Sequence, residues 1–170
     1  MELGKKIARS LEGATFERIA AAGLANAELN QPSVRRSVLD LARERLGEGD
    51  AALVVAAGPS LRRRQSLDRL RASGFRGTIV AADGALGACL RAGVVPHVVV
   101  SVDPHRGRIV RWFGDPALTA APADDYFRRQ EMDAVHSRDE VGANRALVEL
   151  VNGHGPAIRA AVATLSLIHI

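Results

Sequence analysis

Cysteine occurs once in the 170 residues, at Cys89, so no disulfide can form within the chain and a lone thiol fits a reducing cytoplasm. Lysine is confined to Lys5 and Lys6 while arginine occurs 21 times, so the formal net charge of +4 is carried by guanidinium groups. Aromatic residues make up only 4%, with a single Trp, too few rings for the successive stacking platforms of single-strand nucleic-acid binders. The Arg-rich, Ala-rich background looks like that of a GC-rich genome. Against it one cluster of Arg is weak evidence for a nucleic-acid footprint, and nucleic acid is not the expected partner. Long apolar runs are missing as well: Met1 to Ala22 contains Lys5, Lys6 and Arg9, and no segment reads as a signal sequence or membrane span. These absences leave a soluble, cytoplasmic protein with no membrane partner.

What is present is a pattern repeated three times. An apolar, β-branched run stops at a small or acidic residue and turns into a helix-like segment: Leu53-Val54-Val55-Ala56-Ala57-Gly58-Pro59-Ser60, Thr78-Ile79-Val80-Ala81-Ala82-Asp83-Gly84, and Val98-Val99-Val100-Ser101-Val102-Asp103-Pro104. Runs of Val, Ile and Ala without polar alternation predict strands of a parallel α/β sheet with helices on both faces. The loops after the carboxyl ends of such strands form the ligand crevice, so Gly58, Ser60, Asp83 and Asp103 are expected along one edge.

With 47% hydrophobic residues the chain has material for one core but is marginal for two. Residues 1–49 carry no strand signal. Ile7, Leu11 and Phe16, then Val34, Val38, Leu41 and Leu46, recur at helical spacing, with Pro32-Ser33 as a start and Gly47 as a stop for the second helix. This is an α-helical lead, closed by Gly47-Glu48-Gly49-Asp50. From residue 50 the order is strand to Ala57, helix from Ser60 to Ser73 capped by Gly74, strand Thr78 to Ala82, helix Gly84 to Ala92 capped by Gly93, and strand His97 to Val102. A short helix around Ile109 to Phe113, a loop from Asp115 to Asp125, a helix from Glu140 to Asn152 stopped by Gly153, and a fourth strand from Ala157 to Thr164 complete the reading.

Residues 50–164 thus form an incomplete Rossmann-like domain. The tail Leu165-Ser166-Leu167-Ile168-His169-Ile170 can be encoded by CTG TCT CTT ATA CAC ATC, which resembles the end of a transposase-based sequencing adapter. Residues 165–170 are therefore expected to be a non-native tail on a C-terminally truncated chain, in which part of the crevice would be missing and activity would be doubtful.

Several residues at the predicted edge are suited to phosphate chemistry. The Gly58-Pro59-Ser60 turn opens a helix, whose free N–H groups and positive dipole end suit a phosphate, although the P-loop spacing and its Lys are missing. Ser60 as an ordinary N-cap is the other reading. Arg62, Arg63 and Arg64 fall in the first turn, where each cation costs a few tenths to about 1 kcal/mol. A bound polyphosphate would compensate, and so would solvent screening. Asp83 and Asp103 end the second and third strands; two carboxylates beside a phosphate cradle are what Mg²⁺-dependent nucleotide chemistry needs. Each is also a standard helix start, but their placement together favours the ligand reading. His105, with Arg106 and Arg108, crowds the same corner as a base, a phosphate contact or a surface residue. Asp124-Asp125 and Glu131-Met132-Asp133 read as a solvated acidic loop, and Cys89, beside Leu86 and Leu90, reads as core.

The ordered motifs Ala57-Gly58-Pro59-Ser60-Leu61, Ala82-Asp83-Gly84-Ala85-Leu86 and Arg91-Ala92-Gly93-Val94-Val95-Pro96-His97-Val98-Val99-Val100-Ser101-Val102-Asp103-Pro104 resemble the MptE-like family. Its namesake is an archaeal 6-hydroxymethyl-7,8-dihydropterin diphosphokinase, and thiamine diphosphokinases look like more distant relatives. The resemblance implies a Rossmann-like domain moving diphosphate from ATP to a hydroxymethyl group of a small heterocyclic acceptor with Mg²⁺. Gly58, Pro59 and Ser60 would contact phosphate, and Asp83 and Asp103 would hold metal or orient the acceptor; Arg62, Gly84 and His105 complete the candidate nucleotide contacts. Two departures stand out. His97 occupies a position where an acidic residue is common, and Ser101-Val102-Asp103-Pro104 lacks the fuller acidic cluster of the thiamine enzymes. A second branch of the family is linked to bacterial motility, where the edge would hold a nucleotide sugar for transfer to flagellin and an Asp would serve as base. An inactive nucleotide-binding module is the third reading.

Overall fold

In the computed structural model the residues described are 20–21, 23–41, 43–103, 111–120 and 140–163; the expected tail at 165–170 lies outside them. Four strands, β1 (Ala52–Val55), β2 (Thr78–Ala82), β3 (Val98–Ser101) and β4 (Arg159–Val162), form one sheet in the order β1-β2-β3-β4. Every pairing is parallel. Val55 lies opposite Ala81, Ala82 opposite Val100, and Ser101 opposite Val162. This is an incomplete α/β, Rossmann-like sheet.

Helices with both ends among the described residues are α1 (Val38–Leu41), α2 (Pro59–Arg63), α3 (Ser66–Ala72), α4 (Asp83–Arg91) and α5 (Glu140–His154). Side chains alternate across a strand, so the register puts Val55, Ala81 and Val99 on one face. There Leu67 of α3 and Ala85 and Cys89 of α4 pack on Val55, Ile79 and Ala81. Leu86 and Leu90 of α4 join Phe113 and Leu150 and Val151 of α5 around Val99. Three helices therefore cover the same face. Cover on both faces was expected, and the strand order explains the difference: right-handed connections that always step in one direction place each crossover on the same side. On the opposite face Val54 is 72% exposed, although Val98 is buried.

Between β1 and β2 a single helix was expected from Ser60 to Ser73. The chain instead breaks it at Gln65, whose left-handed backbone (φ 48°, ψ 42°) separates α2 from α3. At 100° per residue, Leu61 and Leu67 would stand about 120° apart around a continuous helix. The break lets both reach the same core. Gly93 does cap α4: the N–H of Val94 donates to the Cys89 carbonyl (2.9 Å) and that of Gly93 to Leu90 (3.0 Å), closing a Schellman motif. Helix α5 was expected to stop before Gly153 but runs through it to His154. The residue before Pro156 disfavours helical backbone, and the chain tightens there into the 3-10 turn Gly155–Ala157.

The lead differs most from its reading. Residues 23–30 are helical and Gln31–Ser33 is a 3-10 turn, but the helix expected to Gly47 shrinks to the single turn α1. Ser37 organises it, donating its N–H to Asp40 Oδ2 (3.0 Å) and accepting from the Leu39 N–H (3.2 Å). Val34, Val38 and Leu39 are exposed, so the apolar stripe has nothing to pack against and cannot sustain a longer helix. Glu44 nevertheless anchors the segment to β4 through Arg159 (2.8 Å). Glu48 anchors it to the approach to β2, its N–H donating to the Arg76 carbonyl (2.8 Å).

Candidate functional site

Because all four strands run the same way, β1, β2 and β3 end on one edge. Extended Ala82 closes β2 and Asp83 begins α4 at once. The half-buried Asp83 carboxylate is engaged through both oxygens. Oδ1 accepts the backbone N–H of Gly84 (2.6 Å), and Oδ2 accepts the hydroxyl of Ser101 (2.7 Å). The first bond takes one of the orphan donors of the first turn, although the N-cap position itself is Ala82 and makes no side-chain cap bond. The second reaches across to the last residue of β3, whose side chain is almost fully buried. An ionised carboxylate has about four lone-pair sites, so the same group retains acceptor capacity toward the edge. Asp103 lies two residues beyond Ser101 and is half-buried. His105, with Arg106, Arg108, Asp124, Asp125, Glu131 and Asp133, lies outside the described residues.

At the end of β1, Gly58 is the N-cap of α2 with a fully extended backbone, and Pro59 takes the first helical position, where a missing N–H costs nothing. Ser60 therefore sits inside the helix, not at its cap. Since α2 is five residues long, Arg62 and Arg63 occupy its last turn, where cations are favoured. The expected electrostatic penalty, and with it the argument that a polyphosphate must offset it, disappears. Arg62, Arg63 and Arg64 remain exposed and form no salt bridge among the described residues.

Gly84 joins the two halves of the edge. A methyl group on it would lie 3.0 Å from the Ala57 Cβ and 3.4 Å from Trp112 Cζ2, so the end of β1 and the indole both close upon it. The sequence reading treated Trp112 only as part of a short helix, and passed over Ser101 as a partner for Asp83. Arg111 lies over the Trp112 ring, its guanidinium carbon 4.9 Å from the centroid. That this is the chain's one Trp was the available signal.

His97 is not part of the edge. At the amino end of β3 its Nδ1 accepts the Ile79 N–H (3.0 Å), while its own N–H donates to the Ile79 carbonyl (2.8 Å). The position calls for a side-chain acceptor, which an acidic residue would supply as well. Cys89 is completely buried and desolvation pushes its thiol up to about 11, which suits core and not a nucleophile.

Among the described residues no three His, Cys, Asp or Glu side chains gather as a metal cage. Mg²⁺ does not require one: it takes one or two carboxylates, with substrate phosphates and water completing its shell. Asp83 and Asp103, on neighbouring strand ends, fit that donor type.

A four-stranded, all-parallel α/β sheet with its helices defines an incomplete Rossmann-like protein. The family described as 6-hydroxymethylpterin diphosphokinase MptE-like matches residues 25–111, just over half of the chain, and the chain belongs to this MptE-like family. The match begins within the helical stretch 23–30 and crosses the Gly49-Asp50 punctuation without a break. No curated protein and no solved structure matches the chain. Among the described residues, no helix is long and apolar enough to cross a membrane.

Proposed function

We propose that the protein transfers diphosphate from ATP to the hydroxymethyl group of a pterin-like heterocycle in a Mg²⁺-dependent reaction. The observation that carries this reading is the Asp83 carboxylate, fixed at the sheet edge by Ser101 and Gly84 in a chain of the MptE-like family. The acceptor hydroxyl oxygen attacks the β-phosphorus of ATP, the bond from that phosphorus to the oxygen bridging to the α-phosphorus breaks, AMP leaves, and the hydroxyl proton is released. In this reading the Gly58-Pro59-Ser60 turn and Arg62 take the phosphates, Gly84 lets the ligand approach the backbone, and Asp83 and Asp103 orient the acceptor hydroxyl. Mg²⁺, held by the two aspartates together with phosphate oxygens, would neutralise charge on the transferring group. Catalysis of this kind is positioning and electrostatics.

The test is AMP formation from ATP by the full chain, with 6-hydroxymethyl-7,8-dihydropterin and Mg²⁺ present together and with each omitted in turn. AMP should appear only in the complete mixture, and Asp103→Asn should abolish it. Absence of AMP across a panel of hydroxymethyl heterocycles would overturn the proposal. Binding of a cytidine nucleotide sugar, with transfer to flagellin, would replace it by the glycosyltransferase reading.

A further inference from the structure

Trp112 is a large aromatic side chain kept out of the core. Its neighbour Phe113 packs with Leu86, Leu90 and Val99 in the cluster beneath α4 and α5, while Trp112 belongs to neither apolar cluster and stays half-buried. It stands instead at the ligand edge, its six-membered ring against Gly84, the residue after Asp83, and beside Ala57. The backbone that carries it is pinned a short way downstream. Gly114 has φ +86°, and a methyl group there would meet Val148 Cγ2 at 2.5 Å, so the strap fits α5 only as glycine. Next, the Asp115 N–H donates to Asn144 Oδ1 and Asn144 Nδ2 donates to the Asp115 carbonyl, both at 2.8 Å. The indole, on a backbone pinned just downstream, thus meets the edge at Gly84 and Ala57, whose side chains are no larger than a methyl group.

We infer that Trp112, on the ring face opposite the Arg111 guanidinium, is the wall against which a planar, nitrogen-containing heteroaromatic ring stacks at this edge, beside the Asp83–Ser101 pair. The inference rests on the reading of this edge as the diphosphotransfer site. Two rings in that reaction share the required chemistry, the acceptor pterin and the adenine of the donor. Stacking on an aromatic side chain contributes about 1–3 kcal/mol, so its loss should weaken binding roughly 5- to 150-fold.

The full chain is titrated with 6-hydroxymethylpterin and, separately, with adenosine, both without Mg²⁺ or phosphate. Calorimetry gives the affinity, and emission of the single Trp, corrected against free N-acetyltryptophanamide, reports the contact. One of the two rings should quench the emission saturably, and which one identifies the source. Trp112→Ala should weaken that ring by at least about fivefold, whereas Trp112→Phe, which keeps a ring, should restore most of it. Gly84→Ala, whose methyl group displaces the indole, should lose the quenching if Trp112→Ala fails to fold. Unchanged affinity for both rings in a folded Trp112→Ala variant, or no saturable quenching by either ring, overturns the inference. Ring binding that depends on Trp112 without AMP formation refutes the diphosphotransfer reading alone; AMP formation with an unaltered KM for both substrates in Trp112→Ala refutes the stacking wall alone.

Discussion

The Ser101 hydroxyl donates to Asp83 Oδ2 at 2.7 Å, joining the ends of β2 and β3 through a side chain that is only 1% exposed. A hydrogen bond to a charged acceptor, made by a buried donor, contributes about 1.5–3 kcal/mol. Ser101→Ala should therefore lower unfolding free energy by that order in urea titration, and Ser101→Thr, which keeps the hydroxyl, should recover part of it. If Asp83 acts in diphosphotransfer, Ser101→Ala should also lower kcat more than it raises KM for ATP, because the carboxylate is still present but no longer held in one orientation.

His97 makes a similar kind of contribution at the other end of the sheet. Its Nδ1 accepts the N–H of Ile79, a residue only 8% exposed, so His97→Ala would strand a buried donor at a cost of about 1–3 kcal/mol. His97→Asp or His97→Asn restores an acceptor and should be markedly milder in the same unfolding assay. Since the residue lies at the amino end of β3, none of the three substitutions should alter ligand affinity at the carboxyl edge beyond about twofold once the protein is folded. A large affinity loss in His97→Asn would contradict this assignment.

The parallel sheet, the span of β2 and the Gly93 cap are legible in the sequence because each rests on local signals: an apolar β-branched run, then a residue whose backbone or charge suits a turn. Strand order is not local. The run Val98-Val99-Val100 suggests burial on two faces, yet Val100 is 38% exposed because the helices all pack on the side of Val99. The helix break at Gln65 follows from where Leu61 and Leu67 must point, which depends on the sheet they meet. At the site, Asp83 and Gly58 declare themselves by position after a strand. Ser101 does not, because it looks like a polar interruption of an apolar run and its partner is 18 residues upstream. Trp112 is conspicuous in identity, but only the fold brings it to Gly84.

Gln65 is the one non-glycine residue at positive φ among the described residues. A left-handed backbone costs an L-residue about 1–2 kcal/mol, while glycine gives back part of that gain through the greater freedom of its unfolded chain. Gln65→Gly should raise stability by about 0.5–1 kcal/mol, visible as an upward shift in the thermal midpoint. Gln65→Val should lower stability, since a β-branched side chain tolerates this region least. A destabilised Gln65→Gly would mean that the Gln65 side chain makes contacts worth more than the strain.

Cys89 gives the protein a predictable weakness to alkali. Its thiol is pushed by burial from an ordinary value of 9.0 up to about 11 in the folded chain. Below pH 9 the thiol is protonated in both states and stability does not depend on it. Between about 9 and 11 the unfolded chain ionises while the folded chain stays protonated, so the unfolded state binds fewer protons and stability falls as pH rises. Two pKa units correspond to about 2–3 kcal/mol, complete once the pH passes the folded value. Urea unfolding of the parent chain and of Cys89→Ala from pH 8 to pH 11 should show the substituted chain less stable at pH 8, because a buried side chain has been trimmed, and the gap between them narrowing with pH. A gap that stays constant over that range would show that Cys89 ionises as readily in the folded chain as in the unfolded one, and would place the thiol in contact with solvent instead of beneath α4.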